Sequence, residues 1–272
     1  MKLSASYWMF EGGSEAELPI LEAMRQAKSL GFDAIELCVF FDGVLTDKTT
    51  ESECKQILEY AKQTGIEISS LASGESWGSS PTSNIPEVRS RIIEFTRRAL
   101  QITSWLGSDV YLYVPGTVSA EVPYDVCHSR AVDGVDQLLS VAESTGVFIG
   151  IENVWNKFLL GPLEMRDFID SFNSRMVVSY FDVGNVLLTG YPEHWIRILG
   201  NRIKRIHIKD FKVSVGTFDG FVDLLDGDVD FTAVKRALAD VSYDGYLTAE
   251  MLPYVSGRPE RTISAMQKIF RS

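Results

Sequence analysis

Eight times along this chain a short apolar run is followed by a stretch with helical spacing, and that alternation limits the fold more than any other feature. The runs are KLSASYW (2–8), AIELCVF (34–40), IEISSLA (66–72), DVYLYV (109–114), VFIGIE (147–152), VVSYFD (177–182), RIKRIHI (202–208) and GYLTAE (245–250). Between them lie amphipathic stretches such as EAELPILEAMRQAKSLG, SECKQILEYAKQTG, EVRSRIIEFTRRALQITSWLG and YDVCHSRAVDGVDQLLSVAESTG. These end on Gly31, Gly65, Gly107 and Gly146, each followed within a few residues by a strand-like run. A helix-ending glycine followed by a strand is the punctuation of a repeating β/α unit. Eight such units in 272 residues predict a (β/α)8 TIM barrel, an α/β fold forming one domain over residues 1–272. The rival is a doubly wound open sheet, which normally carries G-x-G-x-x-G after its first strand. Here that segment reads MFEGGSEAEL, so the barrel is favoured and no nucleotide cofactor is expected.

Composition removes several function classes. Hydrophobic residues make up 45% and charged residues 23%, an ordinary balance for a globular protein with a large core. Net charge is −11 with a pI near 4.8, which repels phosphate backbones and anionic lipid heads. Neither nucleic acid nor a membrane is expected as a partner; a homo-oligomer is left open. No run is apolar enough to span a bilayer, and the first residues lack a signal-peptide pattern, so a cytoplasmic location is expected. Cys38, Cys54 and Cys127 are scattered and odd in number, which argues for small buried side chains rather than a disulfide framework or thiolate metal site.

In a barrel the active site sits at the C-terminal ends of the strands. The fifth run ends in Glu152, the sixth in Asp182 and the eighth in Glu250, while the seventh carries His207 near its end. Strand period two puts Phe148, Gly150 and Glu152 on one face, Val178, Tyr180 and Asp182 on another, and Tyr246, Thr248 and Glu250 on a third. If those faces point inward, three carboxylates and one imidazole meet at one mouth. Such carboxylates repel one another unless a proton or a cation intervenes. The oxygen-rich set suits one divalent metal ion: Mn²⁺, Mg²⁺ or Co²⁺, and also Zn²⁺. Taken singly, each residue has an ordinary role as rim acid, helix cap or core histidine. Their recurrence on four consecutive strands is what joins them.

The stretches GIENVWN (150–156), FDVGN (181–185), RIHIKDF (205–211), LLDGDVDF (224–231) and YDGYLTAE (243–250) resemble the xylose-isomerase-like TIM-barrel superfamily. In order and spacing they are most similar to its L-ribulose/L-xylulose 5-phosphate 3-epimerase branch. The resemblance implies Glu152, Asp182, His207 and Glu250 as metal ligands, with Glu152 and Glu250 as the catalytic acid/base pair. It implies a metal-dependent sugar or sugar-phosphate epimerase or isomerase. The expected step is proton transfer at C3 of a ketose or ketose phosphate through a metal-stabilised enediolate. Asn185 matches the sugar-phosphate branch, where free-ketose epimerases tend to carry histidine.

Further substrate contacts are expected from Trp8, Trp77, Asn153, Asn185, Lys209, Asp210 and Arg258. Tryptophans near the mouth can stack on sugar carbons. Lys209, Lys212, Arg258 and Arg261 follow strands seven and eight, a frequent phosphate region in barrels, and SGESWGSSPTS (73–83) offers further anion contacts. A phosphorylated substrate is accordingly placed slightly ahead of a free sugar. Against these cations stand simpler roles: a solvated Arg261, and Lys209 paired with Asp182 or Asp210. Asp230 is expected to cap the helix FTAVKRAL. The rival functions are an aldose–ketose isomerase, a keto-sugar lyase or hydrolase, an endonuclease IV-like enzyme and a non-catalytic sugar- or metal-binding barrel. The endonuclease reading suffers from the low count of three histidines and the negative charge.

Overall fold

The computed structural model describes residues 1–252 and 254–271. Its strands are β1 (Lys2–Ser6), β2 (Ala34–Cys38), β3 (Glu67–Ala72), β4 (Val110–Tyr113), β5 (Phe148–Glu152), β6 (Val177–Asp182), β7 (Ile203–Ile208), β8 (Asp210–Phe211), β9 (Phe221–Val222) and β10 (Tyr246–Ala249). Strands β1 to β7 and β10 close into a parallel barrel in sequence order, with β10 bridging β7 and β1. The eight apolar runs are these eight strands. The antiparallel pair β8–β9 is a small ribbon in the connection after β7.

The helices are α1 (Ile20–Leu30), α2 (Glu51–Thr64), α3 (Glu75–Gly78), α4 (Pro86–Trp105), α5 (Tyr124–Thr145), α6 (Pro162–Ser171), α7 (Pro192–Leu199), α8 (Phe231–Asp240) and α9 (Arg258–Phe270). The stretch read from Glu15 as helical begins only at Ile20, because Ala16 takes a positive φ of 59° and Pro19 is extended at ψ 133°. Gly31, Gly65 and Gly146 end α1, α2 and α5 in the left-handed conformation. Thr50 and Glu53 form a reciprocal capping box on α2, and the Asp230 side chain accepts the Ala233 N–H as the cap of α8. Among the described residues no helix is long and apolar enough to cross a membrane.

Register shows which side chains face inward. Aligned residues of neighbouring parallel strands point the same way, and Ser4, Thr248, His207 and Asp182 align in turn across β1, β10, β7 and β6. Ser6, Glu36 and Ser70 align across β1, β2 and β3. All seven are fully buried, so the barrel interior is unusually polar. The alternate residues, among them Leu3, Ile35, Leu37, Ile206, Ile208 and Leu247, face the helices and form the apolar core. Arg205 closes the floor: its Nε donates to the Ser69 carbonyl at 2.7 Å, and its guanidinium pairs with Asp109. Cys38, Cys54 and Cys127 are buried free thiols.

This division of labour predicts different costs for similar truncations. Leu247→Ala, in the helix-facing core, should lower stability by about 2–5 kcal/mol. Thr50→Ala, at an exposed cap, should cost only about 1 kcal/mol. Denaturant unfolding of the two variants checks the order.

Candidate metal centre and active site

The interior polar residues converge at the C-terminal mouth around His207. Its Nδ1 lies 3.1 Å from Glu152 Oε1, 3.1 Å from Glu250 Oε2 and 3.8 Å from Asp182 Oδ2. One ligand atom from each of Glu152, Asp182, His207 and Glu250 falls within 4.8 Å of all the others, and all four residues are buried. The four strand-end residues predicted from sequence are therefore brought together.

Each is held by local structure. Asp182 ends β6, where its Oδ1 accepts the Asn185 N–H at 2.7 Å. The Asn153 amide grips the same residue from β5, its Oδ1 accepting Asp182 N–H at 2.9 Å and its Nδ2 donating to Asp182 O at 2.8 Å. Asn153 thus acts as an extra rung between the strands. Asn185 donates from Nδ2 to the Asn153 carbonyl at 2.9 Å and also borders the cavity. Between Asp182 and Asn185 the chain needs Gly184, since a Cβ there would sit 2.7 Å from Lys209 Cβ.

Sequence reading missed Glu36. It lies within β2, fully buried, and its Oε1 sits 2.9 Å from His207 Nε2. Its other oxygen accepts from Ser70 Oγ at 2.9 Å and from the Tyr180 hydroxyl. Burial pushes the Tyr180 phenol well above its ordinary range, so it donates. An imidazole whose Nε2–H is held by a carboxylate presents Nδ1 to the ligand set, the usual outer support of a metal-bound histidine. The signal available in sequence was an acid inside the otherwise apolar AIELC.

The charge balance shows that a cation would fit here. Glu36, Glu152, Asp182 and Glu250 are four buried carboxylates facing His207 and Lys209. With both bases protonated, two negative charges stay uncompensated. Burial pushes Glu152 up to about 7, against the pull of His207. Burial likewise raises Asp182, although Lys209 opposes it. Burial would raise Glu250 as well, but Lys209 and His207 outweigh it and hold that carboxyl low. Asp182 Oδ2 and Glu250 Oε2 are buried without a hydrogen bond of good geometry, although Lys209 Nζ makes charge contact with both. Carboxylate oxygens held by one shared ammonium, in a buried cluster of excess negative charge, would fit a divalent cation.

The other predicted contacts divide. A cavity of about 610 Å³ opens above the cluster, bordered by Trp8, Trp77, Asn185, Lys209, Asp210 and Arg258. The Asp210 oxygens, however, are taken by the backbone N–H groups of Phe211, Leu225, Gly227 and Val229. Lys209 pairs with Asp182 and Glu250, not with Asp210. Arg258 and Arg261 both pair with Asp223. Trp155 donates from Nε1 to the Asn185 carbonyl at 2.8 Å and packs against Phe211, Phe218 and Phe221. His128 packs edge-on against Phe158 and Phe168, away from the mouth, and His194 is exposed beside Tyr191.

A family model described as xylose isomerase-like TIM barrel matches residues 24–272. The chain belongs to the xylose isomerase-like TIM barrel family. It is 26% identical over 180 residues to an uncharacterised protein of Methanocaldococcus jannaschii, covering 62% of this chain and 60% of that one. It is 27% identical over 156 residues to an inosose dehydratase of Clostridium perfringens, covering 50% and 52%. The chain thus spans about half to three-fifths of these two relatives. Against L-ribulose-5-phosphate 3-epimerase UlaE of Salmonella paratyphi A it is 24% identical over 247 residues, covering 90% and 86%. The crystal structure of a D-tagatose 3-epimerase-like protein superposes with a TM-score of 0.83 over 99% of this chain and 97% of that one. At 19% identity that likeness shows the barrel fold alone.

If Glu36 sets the histidine that faces the cation, Glu36→Gln should weaken Mn²⁺ binding by about 10–100-fold. Titration calorimetry on the folded variant reads this directly, and wild-type affinity would remove Glu36 from the metal's support.

Proposed function

We propose that this barrel is a metal-dependent sugar epimerase that moves a proton at C3, next to the carbonyl of a keto sugar. The observation that carries the reading is the placement of Glu152 and Glu250. They stand at the two ends of the four-strand arc β5–β6–β7–β10, yet each reaches 3.1 Å from the same histidine nitrogen. Glu152, Asp182, His207 and Glu250 would hold the divalent cation, which when bound supplies Lewis acidity toward the sugar's carbonyl.

One glutamate removes the C3 proton as the C–H electron pair shifts toward the carbonyl. The other returns a proton to the opposite face of the same carbon, so configuration inverts with no net change in composition. Two carboxylates flanking one centre support inversion, whereas aldose–ketose isomerisation can use a single shuttling group. Asn153 and Asn185 hold Asp182 in place, and Trp8, Trp77, Trp155, Phe218 and Phe221 line the cavity above the reacting carbon. The relatives named as 3-epimerases and the fold they share agree with this reading.

Incubation with ketoses in D₂O and Mn²⁺ should exchange the C3 proton. Glu152→Gln and Glu250→Gln should each lower that exchange by about 10²–10⁴-fold. Wild-type turnover by either variant would sink the assignment. Stripping divalent ions with a chelator should abolish exchange, and Mn²⁺ should restore it; full exchange in the stripped protein would remove the metal from the mechanism.

A further inference from the structure

We infer that the substrate is an uncharged keto sugar bearing a second, glycosidically linked ring. The reacting unit, opened to its keto form, sits at the carboxylate cluster, and the linked ring lies against the aromatic wall of Trp155, Phe218 and Phe221. This deepens the proposed epimerase reading and rests on it.

The first support is size. A hexose fills roughly the volume of six waters, about 180 Å³ at ~30 Å³ each. The cavity holds about 610 Å³, so a monosaccharide leaves most of it as water.

The second support is the wall itself. Trp155 is fixed by its Nε1 hydrogen bond to Asn185, and its ring centroid lies 4.9 Å from that of Phe218 and 5.2 Å from that of Phe221. Phe218 is 69% exposed at the tip of the β8–β9 connection, yet it borders the cavity. Trp77, 53% exposed, borders it too. Clustered exposed aromatic side chains around a concave site mark ligand contact. A pyranose offers a flat face of C–H bonds that such rings cover.

The third support is the treatment of anion contacts. Barrels often seat phosphate on the loops after strands seven and eight. Here the backbone N–H groups of Leu225, Gly227 and Val229 in the first of those loops donate to Asp210. That arrangement is built in, because a Cβ at Gly227 would come within 2.1 Å of Asp210 Oδ1. Arg258 and Arg261 share Asp223, and Lys209 is taken by Asp182 and Glu250. Asp219 adds a further carboxylate to the lining. A phosphoryl group would compete with these carboxylates for the same cations, whereas a neutral ring needs none of them and can lie on the aromatic side chains.

The test compares fructose, fructose 6-phosphate, maltulose and isomaltulose by calorimetric titration of the Mn²⁺-loaded protein, with C3 exchange in D₂O followed on the same samples. At least one of the two disaccharides should bind about tenfold or more tightly than both fructose and its phosphate. Phe218→Ala should reduce disaccharide affinity at least about fivefold more than fructose affinity, and Phe218→Tyr should restore it. Equal binding of all four, or tightest binding of fructose 6-phosphate, overturns the inference. Disaccharide preference without exchange upholds this substrate class and fells the epimerase reading. Exchange without disaccharide preference does the reverse.

Discussion

The site depends on one buried imidazole held from both sides. Glu36 takes the Nε2 edge of His207, and Glu152, Asp182 and Glu250 crowd the Nδ1 edge. Placing four carboxylates in a protein interior costs far more than an ordinary fold can offset unless each is paired. The rest of the interior answers that demand. Ser70 and Tyr180 satisfy Glu36, Lys209 bridges Asp182 and Glu250, and backbone and side-chain amides fix Asp182. What these groups leave uncompensated is a negative charge shaped for a divalent cation.

The barrel makes this affordable by separating two jobs. Outward residues of each strand bury apolar surface against the helices and supply the stability. Inward residues are then released to be polar, which is why serine, threonine and histidine occupy positions that a filled barrel gives to valine or leucine. The ribbon β8–β9 and its connection, organised by Asp210, carry Phe218 and Phe221 of the aromatic wall above the site without contributing to the barrel.

Much of this was legible in the sequence because barrel strands end where the site begins. An acid closing an apolar run, as in GVFIGIE or VVSYFD, is visible without any knowledge of contacts. Glu36 was not visible in that way. It lies in mid-strand, and its partners His207 and Tyr180 are more than a hundred residues away along the chain. The roles of Asn153 and Asp210 were hidden for a related reason. Both carry polar side chains at the mouth, but the choice between gripping backbone and meeting substrate is made by loop geometry that composition does not encode. The pairing of Arg258 and Arg261 on Asp223 likewise joins segments that sequence spacing leaves unrelated.

The central claim is that one divalent cation is held at this point by four specific atoms. Crystals grown with Mn²⁺ and measured by anomalous diffraction test it most directly. The account predicts a single strong peak within coordination distance of Glu152, Asp182, Glu250 and the Nδ1 of His207, with Glu36 still bonded to Nε2. A peak elsewhere, a peak bound through Nε2, or no peak at the mouth would contradict it.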